Sequence, residues 1–144
     1  MNSSGDFILA AIMDWTNIEA PSLDDIERLS RAAYASLPEH FRSLCGDILF
    51  MVQEFPDEEV MRDLDLETEF DILGLFQGST LAERTSNAGR PEPTAIFLYR
   101  RPILDYWAEH HGTLGAIVRH VIVHEIGHHF GLSDDGMATI EDGN

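Results

Sequence analysis

The chain has no lysine. Its nine basic residues are all arginine and stand against 26 acids in 144 residues, a net charge of −17. So acidic a chain is repelled by phosphate backbones, which argues against nucleic acid and anionic membrane as partners. The single cysteine, Cys45, excludes an intrachain disulfide and fits a reducing, cytoplasmic setting. Long apolar runs are missing too. The stretch Phe7 to Met13 has no basic leader before it and is followed by Asp14 and Trp15, where a cleavage site needs small neutral residues. It is therefore read neither as a signal peptide nor as a membrane span. There is no internal repeat, domain linker or low-complexity tract. What these absences leave is one acidic globular domain over residues 22–144, with an N-terminal extension, 1–21, that packs on the domain or binds a partner.

Regular patterning starts at Ser22. Ser22 followed by Asp25 is a helix-start signature, and Leu23, Ile26, Leu29, Ala33 and Leu37 repeat at helical spacing until Pro38. A turn over Glu39 to Cys45 leads to Ile48–Val52, an apolar run that reads as a buried strand. Residues 57–71 carry eight acids against the single Arg62, the composition of a solvated surface segment. A short strand or strand-like turn is expected at Ile72–Phe76, and a long functional loop from Gly78 to Pro93. A second strand is expected from Thr94 to Arg100. Pro102 introduces a short helix through Trp107, and Gly112-Thr113 opens a helix at Leu114. The expected class is α+β: one sheet of a few strands backed by two main helices.

The informative stretch is His124-Glu125-Ile126-Gly127-His128-His129-Phe130-Gly131-Leu132-Ser133-Asp134. On a helix, residues four apart stack, so His124 and His128 can aim both imidazoles at one zinc ion. Glu125 lies about 100° around the axis, placed to take a proton from water without ligating the ion. The face supports this reading. Leu114, Ile117, Val118 and Val121 fall within roughly 60° of one line, and so do His124, Glu125 and His128. The far side, with Ala116, Val123 and Phe130, is also mostly apolar, so the helix is expected to be packed around most of its circumference. Burying these three ionisable groups unpartnered would cost several kcal/mol, and a metal satisfies them together.

A third ligand from a later helix would need more than the sixteen residues that follow His128. The expected route is a reversal at Gly131, since glycine accepts the left-handed conformation that ends helices. That returns Asp134 to the metal, with Asp135 as its adjacent competitor. HExxH alone arises by chance in roughly three of a hundred such chains, and roughly three in ten thousand once Gly131 and an Asp or His at 134 are required. Of the other candidates, His129 is expected to pack or hydrogen-bond, His120 to lie off the ligand face, and His110-His111 to sit on the surface. Cys45 has no identifiable activating base.

The sequence around these residues resembles the minimal zincins, small bacterial zinc metallopeptidases with HExxHxxGxx followed by His or Asp. The resemblance rests on Val123–Asp134, is supported by Leu73-Gly74-Leu75-Phe76-Gln77-Gly78 with Leu81, Glu83 and Arg84, and by Tyr99-Arg100, and covers about Ser22 to Asp135. It implies a reduced zincin fold, a mixed sheet over the active-site helix, with His124, His128 and Asp134 binding Zn2+ and Glu125 as general base. Met137 is expected to serve as simple packing, with the methionine turn of larger relatives as the alternative role. The expected activity is hydrolysis of a peptide or protein substrate, which pairs as an extended chain with the strand Thr94 to Tyr99. The competing expectation is a non-catalytic metal-binding or interaction module whose metal stabilises the fold. A structural zinc would usually be closed by four protein ligands and would not need Glu125.

Overall fold

The structure is a computed structural model that describes residues 15–78 and 94–143. The apolar run at 7–13, most of the expected loop at 78–93 and the motif residues Leu81, Glu83 and Arg84 lie outside the described residues. Helix α1 (Leu23–Ala35) begins at the expected place: Asp25 N–H donates to Ser22 Oγ at 3.1 Å while Ser22 N–H donates to Asp25 Oδ2 at 2.9 Å. This reciprocal box satisfies two amides that the first turn would otherwise leave unpaired. The helix stops at Ala35, short of the expected Pro38, because a residue preceding proline is driven out of the helical region. Pro38 then caps a single helical turn, α2 (Glu39–Arg42), pinned by the fully buried Phe41.

Strand β1 (Leu49–Gln53) precedes the acidic segment, which opens with a short helix, α3 (Glu58–Asp63). Asp57 caps it by accepting from Val60 N–H, and Glu58 and Glu59 sit at the positive end of its dipole. All eight acids of this segment are exposed, as a solvated stretch requires. Strands β2 (Gly74–Gln77) and β3 (Ala95–Tyr99) follow. Helix α4 (Arg100–Glu109) begins before Pro102, which falls in the first turn, where amides have no intrahelical acceptor and the missing N–H costs nothing. Helices α5 (Leu114–His129) and α6 (Asp134–Glu141) complete the fold. No helix among the described residues is long and apolar enough to cross a membrane.

The sheet is small and mixed, in the order β1-β3-β2. β1 runs parallel to β3, pairing Leu49 with Ala95 through Gln53 with Tyr99, and β2 runs antiparallel to it, pairing Gly74 with Leu98 through Gln77 with Ala95. β3 is therefore the central strand. This corrects the expectation that a substrate pairs along Thr94 to Tyr99: both edges of that strand are already hydrogen-bonded. Helix α1 packs on β1 and on α5, and α5 packs on β2. Between these layers Ile26, Ile96, Leu98, Ile122, Ile126 and Met137 are fully buried. The α+β architecture, with one mixed sheet on a central helix and a second N-terminal helix, is the one expected.

Candidate active site

Helix α5 starts at Thr113, whose hydroxyl accepts from Ala116 N–H at 3.1 Å. Seven of its residues, from Ile117 to Gly127, are buried, so it is enclosed on most of its circumference. It ends in a Schellman turn. Gly131 adopts φ +73°, its N–H donates to His128 O at 3.2 Å, and Leu132 N–H donates to Gly127 O at 2.8 Å. Ser133 immediately caps α6 by accepting from Gly136 N–H at 3.0 Å. The two helices thus form a tight antiparallel hairpin, and its contacts run in register. Near the turn, Met137 packs on Gly127, where an added Cβ would lie 2.7 Å from Met137 Cγ. At the far end Arg119 Nε donates to Glu141 O at 2.8 Å and Nη2 to Ile140 O at 3.4 Å, gripping the last carbonyls of α6.

The expected ligands lie along this hairpin. The rings of His124 and His128 are 5.8 Å apart at 78°. His124 is a quarter exposed and His128 is exposed. Burial holds His124 below the ordinary histidine pKa, and His120 beside it pushes the same way, against the opposing pull of Glu141 and Asp134. His124 is therefore neutral at physiological pH, the form that ligates metals. Asp134 is the exposed first residue of α6, with its charge felt at His124. Asp135 is exposed as well, and its carbonyl accepts from Thr139.

Glu125 faces the sheet. Burial raises its pKa above the usual carboxylate value, partly offset by His128. Gly74 of β2 is the reason the strand can lie so close. A Cβ there would come within 2.8 Å of Val121 Cγ1 and of Phe97 O, and 3.8 Å from Glu125 Cγ. Tyr99 is fully buried. Its hydroxyl is pushed up to about 12, first by burial and then by the charges of Asp57 and Glu125.

Among the described residues, the three whose ligating atoms all lie within 4.8 Å of one another are His120, His124 and Glu141. His124, His128 and Asp134 are not drawn together that closely. His128 and Asp134 are exposed, however, and exposed side chains change rotamer in picoseconds to nanoseconds. The placing of His120 off the ligand face is corrected: its ring centroid lies 3.9 Å from that of His124. The signal was in the sequence, since His120 precedes His124 by the same four residues that separate His124 from His128. Glu141 could not be found this way, because only the hairpin brings it back. His129 packs against Phe76 with ring centroids 4.5 Å apart, as its expected packing role requires. His110 is exposed and stacks on Tyr106 at 3.8 Å. Cys45 is buried.

Residues 45–144 match the family model described as zincin-like metallopeptidase. No curated protein gives a significant match to the chain.

Proposed function

Since the chain belongs to the zincin-like metallopeptidase family, we propose that it hydrolyses peptide bonds with zinc held by His124, His128 and Asp134 and with Glu125 as the general base. The donor chemistry fits this ion: imidazoles, one of them held neutral by burial, and a carboxylate on the adjoining helix are ordinary zinc ligands. A zinc ion bound there supplies Lewis acidity, lowering the pKa of water towards 7 and polarising a carbonyl.

The observation that carries the proposal is the position of Glu125. It sits between the two histidines in sequence, is half-buried under the sheet edge, and has a raised pKa. A carboxylate so tuned takes a proton from water more readily than an exposed glutamate, and can then return it to the departing amine. The substrate's extended backbone pairs with β2, which has β3 on one side and no strand among the described residues on the other. At Gly74 such a peptide passes over Glu125. The test is Glu125→Gln. The variant should keep its zinc, measured by elemental analysis, and lose cleavage of a peptide library read by mass spectrometry. Hydrolysis at the wild-type rate by that variant would refute the assignment.

A further inference from the structure

We propose that His120, His124 and Glu141 form a second divalent-cation site, which shares His124 with the zinc site proposed above and is filled only when that site is not. The proposal rests on that reading for the competition, but its geometry stands by itself. One carboxylate oxygen of Glu141 lies 2.5 Å from His120 Nδ1 and 3.8 Å from His124 Nε2. All three donors fall within 4.8 Å of one another. A tetrahedral ion with bonds of about 2.1 Å needs donors about 3.4 Å apart, so changes of at most about 1.4 Å in these separations convert the observed cluster into a set of ligands. Two imidazoles and one carboxylate suit zinc, cobalt or iron rather than calcium or magnesium.

A plain His120–Glu141 ion pair would account for the shortest contact. It would not account for His124, whose Nε2 lies 3.8 Å from the same oxygen. Nor would it account for the way Glu141 is held. Arg119 bonds the carbonyls of Ile140 and Glu141 and also reaches the hydroxyl of Ser36, which fixes the end of α6 before any cation arrives. Two of the three donors, His120 and Glu141, border a cavity of about 530 Å³ together with His111, Tyr106 and Leu73, which gives a cation a way in.

Hairpin geometry explains why two sites arise. The ladder His120, His124, His128 rises about 12 Å, and Asp134 to Glu141 spans about 10 Å along α6. Because the helices are antiparallel, one carboxylate is delivered to each end of the ladder. His124, in the middle, serves either end.

The test titrates the metal-free full-length chain with Co2+, following the visible d–d bands and the stoichiometry by calorimetry. His128→Ala should still bind one cobalt ion, and adding Glu141→Gln or His120→Ala should weaken that binding by about ten-fold or more, the least that losing a ligand or its close support costs. All three changes fall at exposed or half-exposed positions, and unchanged circular dichroism verifies the fold. If His128→Ala binds cobalt no better than the double variants, the site does not exist. Two cobalt ions per wild-type chain would overturn the sharing of His124. Glu141→Gln alone isolates the other reading: loss of cobalt there, with His128→Ala still binding, would sink the zinc assignment under the proposed function and leave this site standing.

Discussion

The contact between Gly127 and Met137 sets how closely α6 lies on α5, and with it the position of both carboxylates at the ends of α6. A Cβ at position 127 would collide with Met137, coming within 2.7 Å of Cγ and closer still to Sδ, and Met137 is fully buried with no open direction to retreat. Overpacking of this kind costs about 1–3 kcal/mol. Alanine also gains about 1 kcal/mol over glycine inside a helix. Gly127→Ala is therefore expected to destabilise the domain by about 0–2 kcal/mol, the difference of these two effects. Met137→Ala removes a buried side chain and is expected to cost about 2–5 kcal/mol.

The decisive quantity is the combination. With Met137 shortened, the methyl at 127 enters the vacated space and the helix-propensity gain survives. Gly127→Ala should then stabilise the Met137→Ala background by about 1 kcal/mol, reversing its sign. The coupling between the two positions should fall at about 1–3 kcal/mol. Urea unfolding followed by far-ultraviolet circular dichroism measures all four corners of the cycle. A chelator is kept present, because a cation that binds only the folded chain would add its own stabilisation. If Gly127→Ala changes stability by the same amount in both backgrounds, within about 0.5 kcal/mol, the two residues do not touch as described and the hairpin is set elsewhere.

Two further outcomes follow from the same region. Gly131→Ala should cost about 1–2 kcal/mol, since φ +73° is strained for any side chain while an added Cβ there meets nothing within 4 Å. Gly131→Asn should cost less, because asparagine visits that conformation more readily, so equal losses would show that backbone strain is not the cause. Glu125 makes stability depend on pH. Its folded pKa is raised by burial, so the folded chain holds this proton to higher pH than the unfolded one, and stability falls as pH rises from 4.5 through the raised value. Metal-free Glu125→Gln should therefore gain stability relative to wild type at neutral pH, with the gain fading below about pH 4. A difference in urea midpoint that does not change with pH would refute the buried-carboxylate account.

What could be read from the sequence is what neighbouring residues decide among themselves. The Ser22–Asp25 box, the Thr113 cap and the Gly131 reversal each involve residues within a few positions of one another, and each is formed where the residue types predict. The strand order is different in kind, since it depends on which segments meet across the chain. Even so, β3 carried a clue that the edge reading passed over. Ala95-Ile96-Phe97-Leu98-Tyr99 is apolar without interruption, as a strand enclosed on both faces and both edges must be, whereas Gly74-Leu75-Phe76-Gln77 begins and ends with residues an edge can tolerate.

The position of His120 depends on where the helical angle is measured from. Measured from Val121 it lies about 100° off the apolar line, but measured from His124 it is displaced by only about 40°, because four residues turn a helix about 400°. The face centred on His124 and the face centred on the core residues of the same helix therefore differ, and His120 belongs to the first. Glu141 lay beyond any such angle. Its approach to His120 requires the Schellman turn at Gly131, the close packing of Gly127 on Met137, and the grip of Arg119 on the end of α6. Each of these is a common local device. Only their combination makes a carboxylate seventeen residues beyond His124 its neighbour, which is why that part of the site follows from the fold and not from a motif.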